Sequence, residues 1–264
     1  MDSVSVIIPT WNRANTLGAA ITGALQQTHP VSEVLVCDDG STDHTKEVVS
    51  SFNDSRVQLV EGARAGRPAV PRNRGIKVAK GNWVAFLDSD DNWLPEKIEA
   101  QLEAMKRDGT EASSTNAWRV LPDKGRVSPY LSLENKKLSM HNLFPVNYLI
   151  CSSVLVKKEI VQVCGGFPED ENLKAIEDYA LWLRIAAKTD FSYCATPLME
   201  YLDDSANSIR LNTKEFEQKE NVMQNFYEWY KQNGELSEKN AVRNAVRMAM
   251  KNNGRSFIER WKLK

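Results

Sequence analysis

The sequence contains no long hydrophobic run, which excludes a membrane-spanning helix. Such a helix needs about 20 consecutive apolar residues, whereas the apolar runs of this chain are strand-length, as in VSVIIP at 4–9. The N-terminus carries an acid, Asp2, where a signal peptide carries basic residues, so we expect no targeting segment. We therefore expect a cytoplasmic protein that is either free or peripheral at the inner face of a membrane.

Strong net charge and clustered cysteines are also missing. The formal net charge of -1 argues against nucleic-acid binding, which requires a strongly basic surface. The four cysteines lie far apart and form no C-x-x-C pair, so neither structural zinc nor a disulfide framework is expected. We predict that these thiols are reduced and packed as small hydrophobic groups in a soluble globular protein.

Glycine-rich phosphate loops are absent as well. No G-x-G-x-x-G follows the first apolar run, and no G-x-x-x-x-G-K-[ST] occurs in the chain. These absences argue against a dinucleotide-binding fold and a P-loop. A diphosphate ligand would then need another source of positive charge, and a divalent cation held by carboxylates is the usual one.

The first 110 residues alternate between strand and helix patterns. The predicted strands cover 4–9, 33–39, 57–62 and 83–87. The predicted helices cover 14–27, 41–52 with Ser41 or Thr42 as its cap, 69–79, and 94–106 with Pro95 in its first turn. This alternation predicts an α/β fold in which a mainly parallel sheet is covered by helices on both faces.

The pattern is less regular after residue 110. Strands are predicted at 112–120, 151–156 and 191–195, a helix at 175–188, and no clear element within 121–147. From 213 onward the chain is helical in pattern. We predict one domain over 1–212, with halves 1–110 and 111–212, and a helical extension over 213–264. The last 26 residues hold eight basic residues and one acid, which fits either a solvated helix face or contact with an anionic membrane surface.

Three polar clusters follow predicted strands whose carboxyl ends should share one edge of the sheet. PTWNR follows the first strand, DDGSTD the second and DSDD the fourth. Ligands of open α/β sheets bind at this edge. One such cluster is compatible with an ordinary turn, because Asp, Asn and Gly dominate turns. Three clusters on one edge indicate a binding site.

Four motifs of the chain resemble a known family. VSVIIPTWNR, VCDDGSTDHT, RNRGIKVAKGNWVAFLDSDD and EDYALWLR are similar, in order and approximate spacing, to inverting family-2 glycosyltransferases of the GT-A fold. The bacterial members that build surface polysaccharides are the nearest in type, and the similarity covers roughly residues 3–205. It implies a GT-A-like three-layer α/β/α sandwich with C-terminal helices. It also implies transfer from a nucleotide sugar, most often a UDP-sugar, to a saccharide or polyprenyl-diphosphate-linked saccharide, with Mn2+ or Mg2+ as cofactor.

The resemblance further implies roles for individual residues. The nucleotide-binding residues would be Pro9, Thr10, Asn12, Arg13, Asp38, Asp39, Arg72, Asp88 and Ser89. Within this set, Asp39 would hydrogen-bond to the uracil ring, and Arg72, assisted by Arg74, would lie near the base and phosphates. Asp90 would ligate the metal directly, and Asp88 would reach the metal or the ribose.

Inverting transfer also needs a base that takes the proton of the acceptor hydroxyl. The resemblance assigns this role to Asp178, with Glu177 as the fallback. On the residues alone, both acids also suit the first turn of a helix, where the helix dipole favours negative charge.

The acceptor side is less sharply defined. Ser152 and Ser153 would line the acceptor pocket, and Trp182 and Trp118 would stack on sugar faces, although Trp182 at helical spacing is also typical of a core residue. We expect Asp91 to cap a helix or face solvent.

The chain departs from the family pattern near the end of the predicted domain. Many relatives carry a basic residue and a histidine there, and Leu202 and Asp204 occupy their approximate places. Either Asp204 would then ligate the metal, or Arg210 would supply the positive charge.

Two other functions stay open at this point. A nucleotidyltransferase uses a similar sheet with metal-bound acids, but it normally has a glycine-rich loop after the first strand, and PTWNR contains no glycine. A degenerate transferase domain that only binds saccharide would be expected to have lost a motif. The four acids at 39, 88, 90 and 178 are all present.

Overall fold

A computed structural model describes residues 2–204, 215–235, 237 and 239–251 of the chain. The strands are β1 (Val4–Thr10), β2 (Glu33–Asp38), β3 (Val57–Glu61), β4 (Trp83–Phe86), β5 (Asn92–Trp93), β6 (Ala112–Leu121), β7 (Gly125–Pro129), β8 (Lys136–Leu138), β9 (Leu155–Lys157) and β10 (Phe191–Leu202). The helices are α1 (Ala14–Leu25), α2 (Thr45–Ser51), α3 (Ala69–Val78), α4 (Lys97–Asp108), α5 (Met140–Leu143), α6 (Lys158–Val163), α7 (Glu177–Ala186), α8 (Glu215–Asn233) and α9 (Lys239–Lys251).

The predicted α/β class is confirmed, and the central sheet is mixed. Its strand order is β3-β2-β1-β4-β9-β6-β10-β5, with β7 beside β6 and β8 beside β10. The first four strands of this order are parallel to one another. The fifth, β9, is antiparallel to both of its neighbours, β4 and β6. β6 and β10 are also parallel, and every antiparallel pair includes at least one strand from the second half of the chain.

Both faces of the sheet are covered, which explains why the first strands are mostly apolar. In β1, Val4, Val6 and Ile8 pack on the face covered by α1, α2 and α4. Ile7 packs on the opposite face, which α3, α6 and α7 cover. A strand buried on both sides is apolar at nearly every position, and the buried Ser5 of β1 donates to Glu33 at 2.6 Å. The predicted three-layer arrangement is therefore present.

The C-terminal helices extend one of these layers. Val222 and Phe226 of α8, together with Val242 and Val246 of α9, belong to the same hydrophobic cluster as the buried side chains of α7. The four cysteines, also predicted to be buried, are free and buried. No helix among the residues that the structure describes has the length and apolarity to cross a membrane.

Several predicted boundaries are wrong, and local hydrogen bonds explain one of them. The helix after β2 begins at Thr45 rather than at 41, because Ser41 bonds to Asp38 and the carboxylate of Asp43 accepts the Thr45 N–H at 3.0 Å. Pro95 precedes α4 instead of lying within its first turn.

Two segments of the second half also differ from the prediction. The predicted strand at 151–156 is a 3-10 turn, Cys151–Ser153, followed by the short strand β9. The segment 121–147, predicted to lack regular structure, contains β7, β8 and α5. Of these short elements, β8 and β9 pair with strands that are distant in sequence, and local patterns do not report such pairings.

Candidate functional site

The three polar clusters meet at one edge of the sheet, as predicted. β1 lies between β2 and β4, with Thr10 opposite Asp38 and Ile7 opposite Phe86. Because these strands run in the same direction, the turns that follow them lie side by side. They are the turns at 11–13 and 38–43 and the turn at 88–91, which we call the acid turn.

The turns after β1 and β2 are joined to each other. Asn12 has a φ of +51, a left-handed conformation that Asn tolerates better than most residues. Its backbone N–H donates to Ser41 Oγ at 2.9 Å, and its side-chain oxygen accepts the Thr42 N–H at 2.8 Å. Asp38 is buried and accepts the Ser41 N–H at 3.0 Å. The side chains of Asn12 and Asp38, both predicted nucleotide contacts, therefore hold these turns in shape.

The other early candidates lie beside them. Pro9 and Thr10 end β1 and are buried, and the Thr10 carbonyl accepts the Asp39 N–H at 2.9 Å. Arg74, expected to assist Arg72, donates to the Asp38 carbonyl at 2.7 Å. Arg13 extends toward the acid turn, with a guanidinium nitrogen 3.6 Å from an oxygen of Asp90.

Asp39, the predicted partner of the uracil ring, already has three donors. It is 2% exposed, accepts the N–H groups of Ala65 and Gly66 at 2.9 and 3.0 Å, and forms an ion pair with Arg64. The guanidinium carbon of Arg64 lies 3.8 Å from the centre of the Trp11 ring, and Trp11 is 45% exposed. A nucleobase that binds Asp39 must therefore compete with Arg64.

Sequence reasoning missed both Trp11 and Arg64. Trp11 carried a signal, since it is an exposed aromatic residue directly after β1 within the cluster PTWNR. Arg64 carried none, because it reaches Asp39 only through the path of the segment between β3 and α3. Gly40 permits this approach: its φ is +77, and a Cβ there would lie 3.0 Å from the Arg64 backbone nitrogen.

Arg72 joins the acid turn to the helix that carries the predicted base. It is 4% exposed; one terminal nitrogen donates to Asp88 at 2.6 Å and the other to Glu177 at 2.8 Å. The expected role of Arg72 near the base and phosphates stays a prediction. A buried guanidinium between two carboxylates offsets part of their combined negative charge, and it links α3, the turn after β4 and α7.

Asp88 and Asp90 are the partly exposed carboxylates of the acid turn, each with 32% of its side chain accessible. Partial burial raises the pKa of Asp90, and repulsion from Asp88 raises it further. Ser89, between them, is buried. The acid turn is thus a place where a positive charge would be stabilised.

Whether these residues fit a divalent cation depends on how many ligands the protein supplies. Within the described part of the chain, no group of three His, Cys, Asp or Glu residues is placed to hold a metal ion. Asp88 and Asp90 offer two carboxylates, and Mg2+ is commonly bound by one or two carboxylates plus substrate phosphates and water. The residues therefore fit a cation that arrives with a diphosphate, rather than one held by the protein alone.

Asp91 neither caps a helix nor faces solvent, so the expectation for it is wrong. It is 4% exposed, and its carboxylate accepts hydrogen bonds from the Ser152 hydroxyl at 2.5 Å and the Leu202 N–H at 3.0 Å. Ser152 and Ser153 are both fully buried, which is incompatible with the predicted lining of an acceptor pocket. The hydroxyl of Ser153 donates to the Ile150 carbonyl at 2.6 Å.

Trp182 is a core residue. It is fully buried and packs against Phe86, Phe167 and Phe191, with ring centres 5.8 to 6.2 Å apart. This burial is incompatible with the predicted sugar contact. Trp118 is partly exposed and lies under the guanidinium of Arg126, 5.2 Å from its ring centre.

Glu177 and Asp178 open α7, as predicted, but their surroundings differ. Glu177 is 3% exposed and bonded to Arg72; burial raises its pKa, and the Arg72 guanidinium opposes that shift only in part. One oxygen of Asp178 accepts the Tyr179 N–H at 2.7 Å. Of the two acids, Glu177 is committed to an ion pair that holds the fold together.

The late part of the predicted donor site is described only to residue 204. Leu202, in the approximate place of a basic residue, contributes its backbone N–H to Asp91. Asp204 is partly exposed. Arg210 lies outside the described residues, as does the basic segment 252–264.

Comparison with known proteins gives three consistent results. The sequence profile described as "Glycosyl transferase family 2" matches residues 5–164. The Escherichia coli protein named UDP-Glc:alpha-D-GlcNAc-diphosphoundecaprenol beta-1,3-glucosyltransferase WfaP is 31% identical, over 84% of this chain and 86% of its own length. WfgD, an Escherichia coli protein with the same activity in its name, is 32% identical over 72% of each chain.

The fold has similar solved structures. Staphylococcal TarS (S. aureus) in complex with UDP-GlcNAc superposes with a TM-score of 0.77 at 20% identity, over 95% of this chain and 72% of the TarS chain. At this identity the likeness concerns the fold, and it agrees with the predicted GT-A-like architecture.

Proposed function

The chain belongs to glycosyl transferase family 2 and is a glycosyltransferase, and we propose that it transfers a sugar from a UDP-sugar to a hydroxyl of a lipid-linked saccharide, with inversion and with the help of a divalent cation. The observation that carries this proposal is the Arg72 bridge. One guanidinium contacts both Asp88 and Glu177, so the donor-side acid turn and the acid pair of α7 adjoin each other.

The donor would bind across the turns after β1, β2 and β4. Asp90, with Asp88, would hold Mn2+ or Mg2+, and this cation would neutralise the charge that develops on the leaving diphosphate. Arg13 supports this placement, because its partly exposed guanidinium lies 3.6 Å from Asp90 and can contact a phosphate there. The pyrimidine would lie at Trp11 and Asp39 after Arg64 has moved.

Asp178 is the better candidate for the base. A general base must meet the proton of the acceptor hydroxyl directly or through one water. Glu177 is bonded to Arg72, and protonating it would weaken a buried ion pair that also holds Asp88. Asp178 is the next residue of α7 and is the acid to which the family resemblance assigns this role. It would take the proton as the acceptor oxygen attacks the sugar, and Arg72 would keep Glu177 ionised and fixed.

The decisive test combines transfer and binding. The donor would be UDP-glucose and the acceptor an undecaprenyl-diphosphate-linked GlcNAc, following the named activity of WfaP. We expect Asp178→Asn to abolish transfer while UDP affinity is kept, and Asp90→Ala to abolish the Mn2+-dependent part of UDP binding. Full transfer by Asp178→Asn would disprove the base assignment, and full transfer in excess EDTA would disprove the metal.

A thermal-shift panel tests the nucleotide separately. UDP, GDP, CDP and dTDP would each be added with and without Mn2+. A ligand present at 100 times its dissociation constant stabilises the folded state by about 2.7 kcal/mol, so the preferred nucleotide should stand out. We expect UDP with Mn2+ to give the largest shift; a larger shift with another diphosphate would reassign the donor.

A lipid-linked acceptor would bring the protein to the inner face of a membrane. Helix α9 carries Lys239, Arg243, Arg247 and Lys251 at intervals of four residues and no acid. The helix packs on the core through Val242 and Val246. The basic positions 239, 243 and 247 give this helix a positive charge, which an anionic bilayer would attract. Sedimentation with vesicles should show binding to phosphatidylglycerol vesicles at low salt and none to phosphatidylcholine vesicles; equal binding to both would refute the contact.

A further inference from the structure

The acid turn contains one carboxylate that points into the protein. Asp91 is 4% exposed, whereas 32% of the side chain is accessible at both Asp88 and Asp90. Burying a carboxylate costs several kcal/mol, even after relaxation, unless donors surround it. Two donors do so here, the Ser152 hydroxyl and the Leu202 N–H, which are 61 and 111 residues away in sequence.

The Ser152 hydroxyl connects the two ends of the acid turn. The single hydroxyl proton of Ser152 is donated to Asp91 at 2.5 Å. The lone pairs of the same oxygen remain available, and one accepts the Asp88 N–H at 2.9 Å. The Asp91 N–H donates to the Asp88 carbonyl at 3.1 Å and closes the turn. Ser152 thus holds the first and last residues of the turn at once.

Ser152 is itself fixed in place. Its side chain is fully buried in the 3-10 turn before β9, and its carbonyl accepts the indole N–H of Trp93 at 2.8 Å. Because β9 pairs with β4 in the sheet, the 3-10 turn before β9 lies next to the end of β4. The acid turn therefore rests on a rigid support rather than on a surface loop.

We propose that Asp91 and Ser152 are positioning residues that hold Asp88 and Asp90 in the geometry that binds a divalent cation together with a nucleoside diphosphate. This inference rests on the proposed function. With the main chain of the acid turn fixed at both ends, the two outward carboxylates are ordered before the cation arrives. Replacing a residue that hydrogen-bonds to a metal ligand commonly lowers the affinity for the metal by about 10- to 100-fold.

The test is to remove the bridge without touching the outward carboxylates. Ser152→Ala removes the hydroxyl, and Asp91→Asn keeps the side-chain size while changing the acceptor. Ser114→Ala is the matched control: it is equally buried, and its hydroxyl pairs with that of Ser153 at 2.7 Å rather than with the acid turn. Calorimetry would measure UDP binding over a range of Mn2+ concentrations, and urea unfolding would measure stability.

We expect Ser152→Ala and Asp91→Asn to raise the Mn2+ concentration needed for half-maximal UDP binding by about 10- to 100-fold, while UDP affinity without metal stays within about twofold. Ser114→Ala should lose stability but keep the wild-type Mn2+ requirement. An unchanged requirement in Ser152→Ala, or an equal rise in Ser114→Ala, would overturn the proposal. If Asp91→Asn does not fold, Ser152→Ala decides alone. A wild-type protein whose UDP binding ignores Mn2+ would instead refute the metal part of the proposed function.

Discussion

The buried Lys97 allows a quantitative prediction of how the stability of this protein depends on pH. It lies in the first turn of α4, is fully buried, donates to Gln101 Oε1 at 2.7 Å, and has its amine 4.1 Å from the centre of the Trp93 ring. Burial lowers the pKa of Lys97 from 10.5 to about 7. The unfolded chain therefore carries a proton on this amine below pH 10.5, but the folded protein does so only below about pH 7.

The sign of the pH dependence follows from this difference. Where only the unfolded state binds the proton, raising the pH stabilises the folded state by about 1.4 kcal/mol per pH unit. Lys97 thus costs roughly 5 kcal/mol at and below the folded pKa, and this cost disappears above the unfolded pKa. Between about pH 7 and about pH 9.5 the cost should fall by about 3 kcal/mol.

Replacing Lys97 by Met should remove the cost and keep the volume. Met fills the same space with an unbranched apolar chain, and the main loss is the donor to Gln101, worth roughly 1–3 kcal/mol. We therefore expect Lys97→Met to be more stable than wild type by about 2–3 kcal/mol near pH 7. The advantage should shrink or reverse near pH 9.5.

Urea unfolding of both proteins at the two pH values measures this. Lys106→Met is the control, because Lys106 is exposed on the same helix and should give a difference that does not change with pH. If the difference between Lys97→Met and wild type were the same at both pH values, the buried amine would not titrate as its surroundings indicate, and the reasoning would fail.

Three further predictions concern the site and the core. Arg72→Met leaves Glu177 buried without its cation and should lower the free energy of unfolding by about 3–5 kcal/mol; adding Glu177→Gln should recover part of the loss in urea unfolding. Arg64→Ala removes the side chain that competes with the nucleobase for Asp39. Calorimetry should show UDP binding about two- to fivefold tighter, because a half-exposed ion pair contributes that much. Weaker binding would mean that Arg64 contacts the base. Trp182→Ala empties the aromatic core and should cost about 3–5 kcal/mol in the same unfolding experiment, while a surface role would cost almost nothing.

The ends of the first strands were predictable because their signals are local. Apolar runs of strand length and turn-forming residues identify β1, β2 and β4, and parallel strands place their carboxyl ends at one edge. Asp88 and Asp90 could therefore be assigned to this edge from local signals, whereas the acid pair of α7 was assigned to the same site through the family resemblance.

The second half of the sheet could not be predicted in the same way. β9 has three residues and runs antiparallel between β4 and β6. A strand so short has no periodicity to detect, and its direction depends on partners far away in sequence. Ser152 and Ser153, just before β9, were predicted to line a pocket. They are buried because β9 lies between β4 and β6 in the sheet.

The sequence by itself determined the layers and the edge that carries the candidate site, because these follow from the hydrophobic period and the turn residues. The order of the family motifs identified the acids expected there. Only the tertiary structure decided which polar groups face outward. Arg72 contacts Glu177 across 105 residues, and Asp91 contacts Leu202 across 111. Such pairs form because a buried charge must find a donor or a counter-charge, and which one it finds is set by how distant segments pack.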